Sequence, residues 1–149
     1  MRLTTYTDYA LRTLLHVGTY QDRLVTIQEI ADLHTISKNH LTKVIHQLGL
    51  LGVVTTVRGR NGGLRLARAP KEINIGAVVR HTETDFYMAP CFDPQGFPCG
   101  LHKACGLKNV LAEATAAYLA VLDGTTLADL LPEPAPNHVP MLFQPMPGR

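Results

Sequence analysis

No run of apolar residues in this 149-residue chain is long enough to cross a bilayer, and its opening stretch, MRLTTYTDYALRTLL, carries no signal-peptide cleavage pattern. A cytoplasmic protein is therefore expected, in a compartment that keeps thiols reduced. Cysteine is scarce, and the three present all fall between Cys91 and Cys105. An odd-numbered cluster of this kind in a cytosolic protein points to metal binding rather than to disulfides. The chain shows no internal repeat, no glycine-rich nucleotide-binding motif, no convincing acid–base pair and no second cysteine motif. Those absences argue against an enzyme or an electron carrier. Charged residues make up only 17% of the chain against 46% hydrophobic, which suits a soluble globular protein rather than a disordered one. The length suits one compact domain, or one small domain with an added dimerisation element.

The net charge of +2 is unevenly spread. Residues 1–70 hold nine Lys/Arg against four Asp/Glu, a net of +5, and residues 71–149 hold five against eight, a net of −3. The basic half is the one expected to meet nucleic acid.

Hydrophobic periodicity places a first helix from about Thr4 to Tyr20, with Tyr6, Ala10, Leu14 and Val17 at helical spacing. Thr26-Ile27-Gln28-Glu29 has the form of a capping box and opens a short second helix. Ser37 reads as the N-cap of a third, in which Leu41, Val44, Ile45 and Leu48 form an apolar stripe that must face a core. Two short helices joined by a brief turn make a helix-turn-helix. Val53–Val57 is rich in β-branched residues, Arg58–Gly63 is a turn signal and Leu64–Ala67 alternates again, so a β-hairpin with a basic tip follows.

The expected fold is mainly α with a small β-hairpin wing: a winged helix-turn-helix plus a long dimerisation helix. The division expected is a DNA-binding domain at 1–80, a metal-binding loop at 81–104, a dimerisation helix and C-terminal helix at 105–131, and a proline-rich tail at 132–149. Asn74 is expected to cap a helix bearing Ile75, Val78 and Val79. The long helix carries Leu107, Leu111, Ala114, Tyr118 and Val121 as one stripe, with Gly124 as its C′ residue. Six of the ten prolines lie beyond Leu131, which marks the tail as extended or disordered.

The chemistry is carried by two groups of residues. A helix that enters the major groove presents short polar or basic side chains near its N-terminus, and Ser37, Lys38, Asn39, His40 and Lys43 fit that need. Arg58, Arg60 and Asn61 sit on the glycine-rich hairpin tip, where arginine suits a narrow minor groove. The cysteines follow the spacing Cys91-x7-Cys99-x5-Cys105 in a proline-containing segment. Iron–sulfur clusters draw thiolates from such irregular segments. Zinc is the rival, because Cys91, Cys99, His102 and Cys105 make a plausible tetrahedral set, although no C-x2–4-C knuckle is present.

Taken together, these stretches resemble the bacterial winged-helix iron–sulfur repressors of the NsrR and IscR type, and NsrR more closely. The resemblance rests on Arg2–Arg12, Ser37–Leu41, Val57–Leu66, Ile75–Arg80, the Cys99–Cys105 pair and Leu127–Leu130, and it spans roughly residues 1–131. It implies a homodimeric repressor that binds palindromic operator DNA and senses nitric oxide through a cluster on the three cysteines. That cluster is commonly 4Fe–4S, with 2Fe–2S permitted; nitric oxide attacks it, DNA affinity falls and genes for nitric oxide detoxification are released. The resemblance also implies an oxygen ligand, Asp8 of the partner subunit, which Arg12 at i+4 could orient. Glu83, Asp85, Asp93 and His102 are rival ligands, because the gap between Cys91 and Cys99 is wider than the family's. An IscR-like sensor of iron–sulfur or redox status and a zinc-stabilised winged-helix regulator are the alternative functions.

Overall fold

The computed structural model describes residues 2–96, 99 and 105–132. Helix α1 (Thr5–Thr19) begins where Thr4 Oγ1 accepts a hydrogen bond from Thr7 N at 3.2 Å, and it buries Ala10, Leu14 and Val17. Helix α2 (Ile27–His34) starts at Thr26, whose hydroxyl accepts from Glu29 N at 3.1 Å. Only half of the expected capping box forms. The Glu29 carboxylate turns away from the Thr26 backbone towards His16 and Arg23, which offer it charge-assisted bonds.

Helix α3 (Lys38–Leu50) follows a turn in which Thr35 adopts left-handed backbone angles, φ 54° and ψ 44°. The expected stripe of Leu41, Val44, Ile45 and Leu48 is buried, each member at 5% exposure or less. Burial of this kind is worth about 1.5–3 kcal/mol per large side chain. It fixes α3 against α1 and leaves the other face of α3 in solvent.

Strands β1 (Val54–Val57) and β2 (Gly63–Leu66) pair antiparallel, with Val54 opposite Leu66 and Val57 opposite Gly63. The tip turns through Gly59, at φ 114°, a backbone conformation that favours glycine. Val25 and Leu64 exchange backbone bonds of 3.0 and 2.7 Å, which ties the hairpin to the body of the domain.

Asn74 caps helix α4 (Ile75–Thr82), its side-chain oxygen accepting from Ala77 N at 2.9 Å. After a short 3-10 turn at Pro90–Phe92 comes helix α5 (Gly106–Asp123), which lies against α4. Asn74 Nδ2 donates to the Asp123 carbonyl at 2.6 Å and the Arg80 guanidinium pairs with the Asp123 carboxylate, so the end of α5 is locked to α4. Gly124 ends α5 at φ −77° in right-handed conformation, not as the left-handed C′ residue expected; Thr125 N instead returns to the Leu122 carbonyl at 3.1 Å. Helix α6 (Leu127–Leu130) brings fully buried Leu127 back into the core, with Leu127 N bonded to the Ile73 carbonyl at 2.8 Å.

None of the 18 residues of α5 is buried. The expected single stripe divides in two. Leu111, Tyr118, Leu119 and Leu122 are half-buried on the side towards the rest of the chain. Leu107, Val110, Ala114, Ala117 and Val121 form a neighbouring exposed stripe, with Leu107 66%, Val110 61% and Val121 70% accessible. Among the described residues no helix is long and apolar enough to cross a membrane. The tail expected at 132–149 lies outside the described residues beyond Pro132.

Candidate functional site

The buried stripe of α3 dictates what its other face presents. Ser37, Lys38, Asn39, His40 and Lys43 are all exposed at the start of the helix. Ser37 caps it, its hydroxyl accepting from His40 N at 3.4 Å. Helix α1 holds α3 from behind through two tyrosines: Tyr6 donates its phenolic hydrogen to the Lys43 carbonyl at 3.2 Å, and the Tyr9 ring stacks on His40 with centroids 6.4 Å apart. Arg58, Arg60 and Asn61 stand exposed on the wing tip. Arg65 on β2 is exposed as well; the sequence reading passed over it, although the alternation of the strand marks it. A polar helix start and a basic hairpin tip, tied to one core, can reach two grooves of a duplex.

Asp8 and Arg12 lie on α1, with Arg12 Nε donating to Asp8 Oδ2 at 2.8 Å, so the i, i+4 pairing foreseen between them is formed. Further along α1, His16 shares a 3.0 Å bond with Glu29, which also accepts from Arg23 at 2.5 and 2.9 Å. Arg23 stands over the Tyr20 ring at 4.4 Å. The hydrogen bond from Arg23, joined by that from His16, holds the Glu29 carboxyl down to about 2. His34 lies edge-on to His16, and burial, with the charges of Arg12 and His16, pushes its pKa below the usual histidine range.

The cysteines occupy three different settings. Cys91 is half-buried in the 3-10 turn, Cys99 is exposed, and Cys105 is half-buried at the N-cap of α5. All three are free thiols. Lys108, in the first turn of α5, donates from Nζ to the Cys91 carbonyl at 3.0 Å and stands 5.5 Å from the Phe92 ring centroid. This contact joins the turn that carries Cys91 to the helix that starts at Cys105. Among the described residues, no three His, Cys, Asp or Glu side chains converge into a metal-sized group.

The rival ligands have local partners. Glu83 Oε1 accepts from Thr4 N at 2.8 Å and from Thr4 Oγ1 at 3.1 Å. Asp85 accepts from Tyr87 N at 2.9 Å and Asp93 from Gln95 N at 2.8 Å. His102, which the zinc set requires, lies outside the described residues. As a donor set, three free thiols match an iron–sulfur cluster in kind.

Sequence reasoning missed the structural roles of Glu83 and Lys108. Glu83 links the segment after α4 to the start of α1, 79 residues away, and no local pattern announces a contact of that span.

Comparison with known proteins bears out the winged-helix fold. Residues 3–133 match the family Rrf2, described as an iron-dependent transcriptional regulator. The HTH-type transcriptional regulator NsrR of Bacillus licheniformis is 55% identical over 132 residues, covering 88% of this chain and 92% of the relative. NsrR of Bacillus subtilis is 54% identical over 132 residues, covering 88% and 90%. Among solved structures, T. potens IscR superposes with a TM-score of 0.67 at 26% identity, covering 87% of this chain and 85% of that one. CymR of B. subtilis, titled the global cysteine regulator, gives a TM-score of 0.70 at 22% identity, covering 87% and 95%. The chain belongs to the Rrf2 family, a winged-helix DNA-binding transcriptional regulator and not an enzyme.

Proposed function

We propose that the protein is a cytoplasmic homodimeric repressor of nitric oxide detoxification genes, which senses nitric oxide through an iron–sulfur cluster. Cys91, Cys99 and Cys105 would hold the cluster, 4Fe–4S in the first instance, with Asp8 of the partner subunit as the fourth ligand. Residues 1–80 form the DNA-binding domain in this reading, and two of them in a dimer read a palindromic operator. The observation that carries the proposal is the double attachment of α1. It is stapled to the recognition helix by Tyr6 and Tyr9, and its start is bonded by Glu83 to the segment leading to the cysteines.

When bound, the cluster supplies iron that nitric oxide can attack. The chain's own residues supply the rest. A carboxylate is a poorer ligand than a thiolate on iron–sulfur iron, so Asp8 would hold its iron more loosely than Cys91, Cys99 and Cys105 hold theirs. Arg12 bonds that carboxylate at 2.8 Å and would orient it. With Asp8 engaged across the dimer, α1 of each protomer has a fixed place, and through Tyr6 and Tyr9 so does α3. With Asp8 returned to Arg12 alone, the spacing of the two recognition helices is no longer set. A palindrome reads that spacing at about 34–36 Å, so a small rotation costs affinity.

The test is an anaerobic absorbance titration with nitric oxide, with iron, sulfide and zinc assayed and operator binding measured on the same sample. A brown protein that bleaches in steps while losing operator affinity supports the reading. A colourless protein with stoichiometric zinc refutes it. An Asp8→Ala protein with unaltered cluster lifetime and nitric oxide response refutes the fourth ligand alone.

A further inference from the structure

We infer that Lys108 is a positioning residue for the cluster site: it clamps the Cys91 turn to the start of α5 and brings a positive charge to the turn that carries Cys91. The inference rests on the cluster reading above. Its basis is the position of the ammonium group, which donates to the Cys91 carbonyl at 3.0 Å and faces the Phe92 ring at 5.5 Å. One side chain thereby grips two of the three residues of the 3-10 turn Pro90–Phe92, from a point three residues beyond Cys105. Cys91 and Cys105 are half-buried and Cys99 is exposed, so the clamp serves the two thiols that lie closest to the body of the protein.

The placement runs against helix electrostatics. A cation in the first turn opposes the helix dipole, which favours anions there, and α5 has no acidic residue in that turn to offset it. The Cys91 carbonyl and the Phe92 ring supply part of the compensation. A cluster ligated by three thiolates and a carboxylate is anionic and would supply the remainder when bound. Lysine suits this role as a compact point charge with several donor hydrogens. Reduction adds an electron to a negative centre, so a nearby cation raises the potential, and net charge is among the factors that set iron–sulfur potentials. The clamp also limits the freedom of the Cys91 turn before any cluster is present, which lowers the ordering cost of ligation.

Lys108→Met and Lys108→Arg test this in the full-length protein. In the cluster-free protein, Lys108→Met should speed amide hydrogen exchange across residues 89–93 on the order of tenfold, the effect of losing one charge-assisted bond, while Lys108→Arg should stay near wild type. In anaerobically reconstituted protein, Lys108→Met should release iron to a chelator on the order of tenfold faster, from the same lost bond. It should also show a more negative reduction potential, with both effects largely restored in Lys108→Arg. Unchanged exchange in Lys108→Met overturns the clamp. Faster exchange with an unchanged potential overturns the electrostatic role and leaves a structural contact only. A wild-type protein that takes up neither iron nor sulfide overturns the cluster reading, and the exchange data then show separately whether the contact exists without a cluster to serve.

Discussion

Glu29 sits between the Arg23 guanidinium and the His16 ring, and its position has a direct consequence for acid stability. It accepts from Arg23 at 2.5 and 2.9 Å and shares a bond of 3.0 Å with His16, which together hold its pKa near 2 against an ordinary value of 4.5. A carboxyl depressed in the folded state stabilises the protein fully above the unfolded value. That contribution is lost as pH falls through the folded one. The window is therefore pH 4.5 down to about 2. Glu29→Gln should remove this component: chemical-denaturation midpoints, followed across that range, should fall less steeply in the variant than in wild type. Equal slopes would show that the Arg23 contact does not persist in solution. The contribution is modest, because Arg23 is exposed and solvent screens the pair. Residue-level chemistry of this kind was only partly legible in the sequence. The spacing of Thr26 and Glu29 implies a capping box, but the presence of Arg23 and His16 around Glu29 depends on how α1 lies over α2. Thr35 was equally hidden: a β-branched residue in the left-handed region contradicts the usual preference for glycine or asparagine, so no turn signal marks it.

At the scale of elements, legibility follows the number of faces an element buries. Helix α3 buries a single stripe, so the period of Leu41, Val44, Ile45 and Leu48 predicts its orientation and hence the exposed face that carries Lys38, Asn39 and Lys43. Helix α5 has apolar residues on two adjacent faces, with alanines at 112, 114, 116, 117 and 120 between them. No polar boundary separates the faces, and the sequence pattern merges them into one stripe running along the border of both. The lock between α4 and α5 was half visible: Asn74 reads as a helix cap, yet its amide also reaches the Asp123 carbonyl at 2.6 Å and the Thr125 carbonyl at 3.4 Å. One side chain thus satisfies the start of α4 and the end of α5. Asn74→Ala should therefore cost about 2 kcal/mol, the upper end for a cap substitution, because the crossing bonds are lost with the cap. Urea unfolding measures this. A loss no larger than about 0.5 kcal/mol would show that water replaces the amide without penalty.

For the whole molecule, the decisive feature is a helix of 18 residues with none fully buried, which meets the core through half-buried Leu122. Leu107, Val110, Ala114, Ala117 and Val121 line one exposed face, and small alanines among larger residues allow a second helix to approach closely. Under the proposed function this face pairs with its copy across a two-fold axis, since an isologous contact needs one self-complementary patch. The pairing also gives the charge asymmetry a use. In that dimer the basic half, with a net of +5, would face DNA, while the acidic half, with a net of −3, would stay clear of the phosphates. Val110→Glu places a charge in the middle of the stripe while leaving the protomer's own core untouched, because Val110 is 61% accessible in the single chain. Sedimentation should show a dimer for wild type and a monomer for the variant, at unchanged helical content. Operator affinity should fall on the order of 100-fold, since the second half-site is no longer held at high effective concentration. A variant that stays dimeric would place the interface on another face. A monomeric variant that kept full operator affinity would detach DNA recognition from dimerisation, and with it the argument that recognition-helix spacing carries the signal.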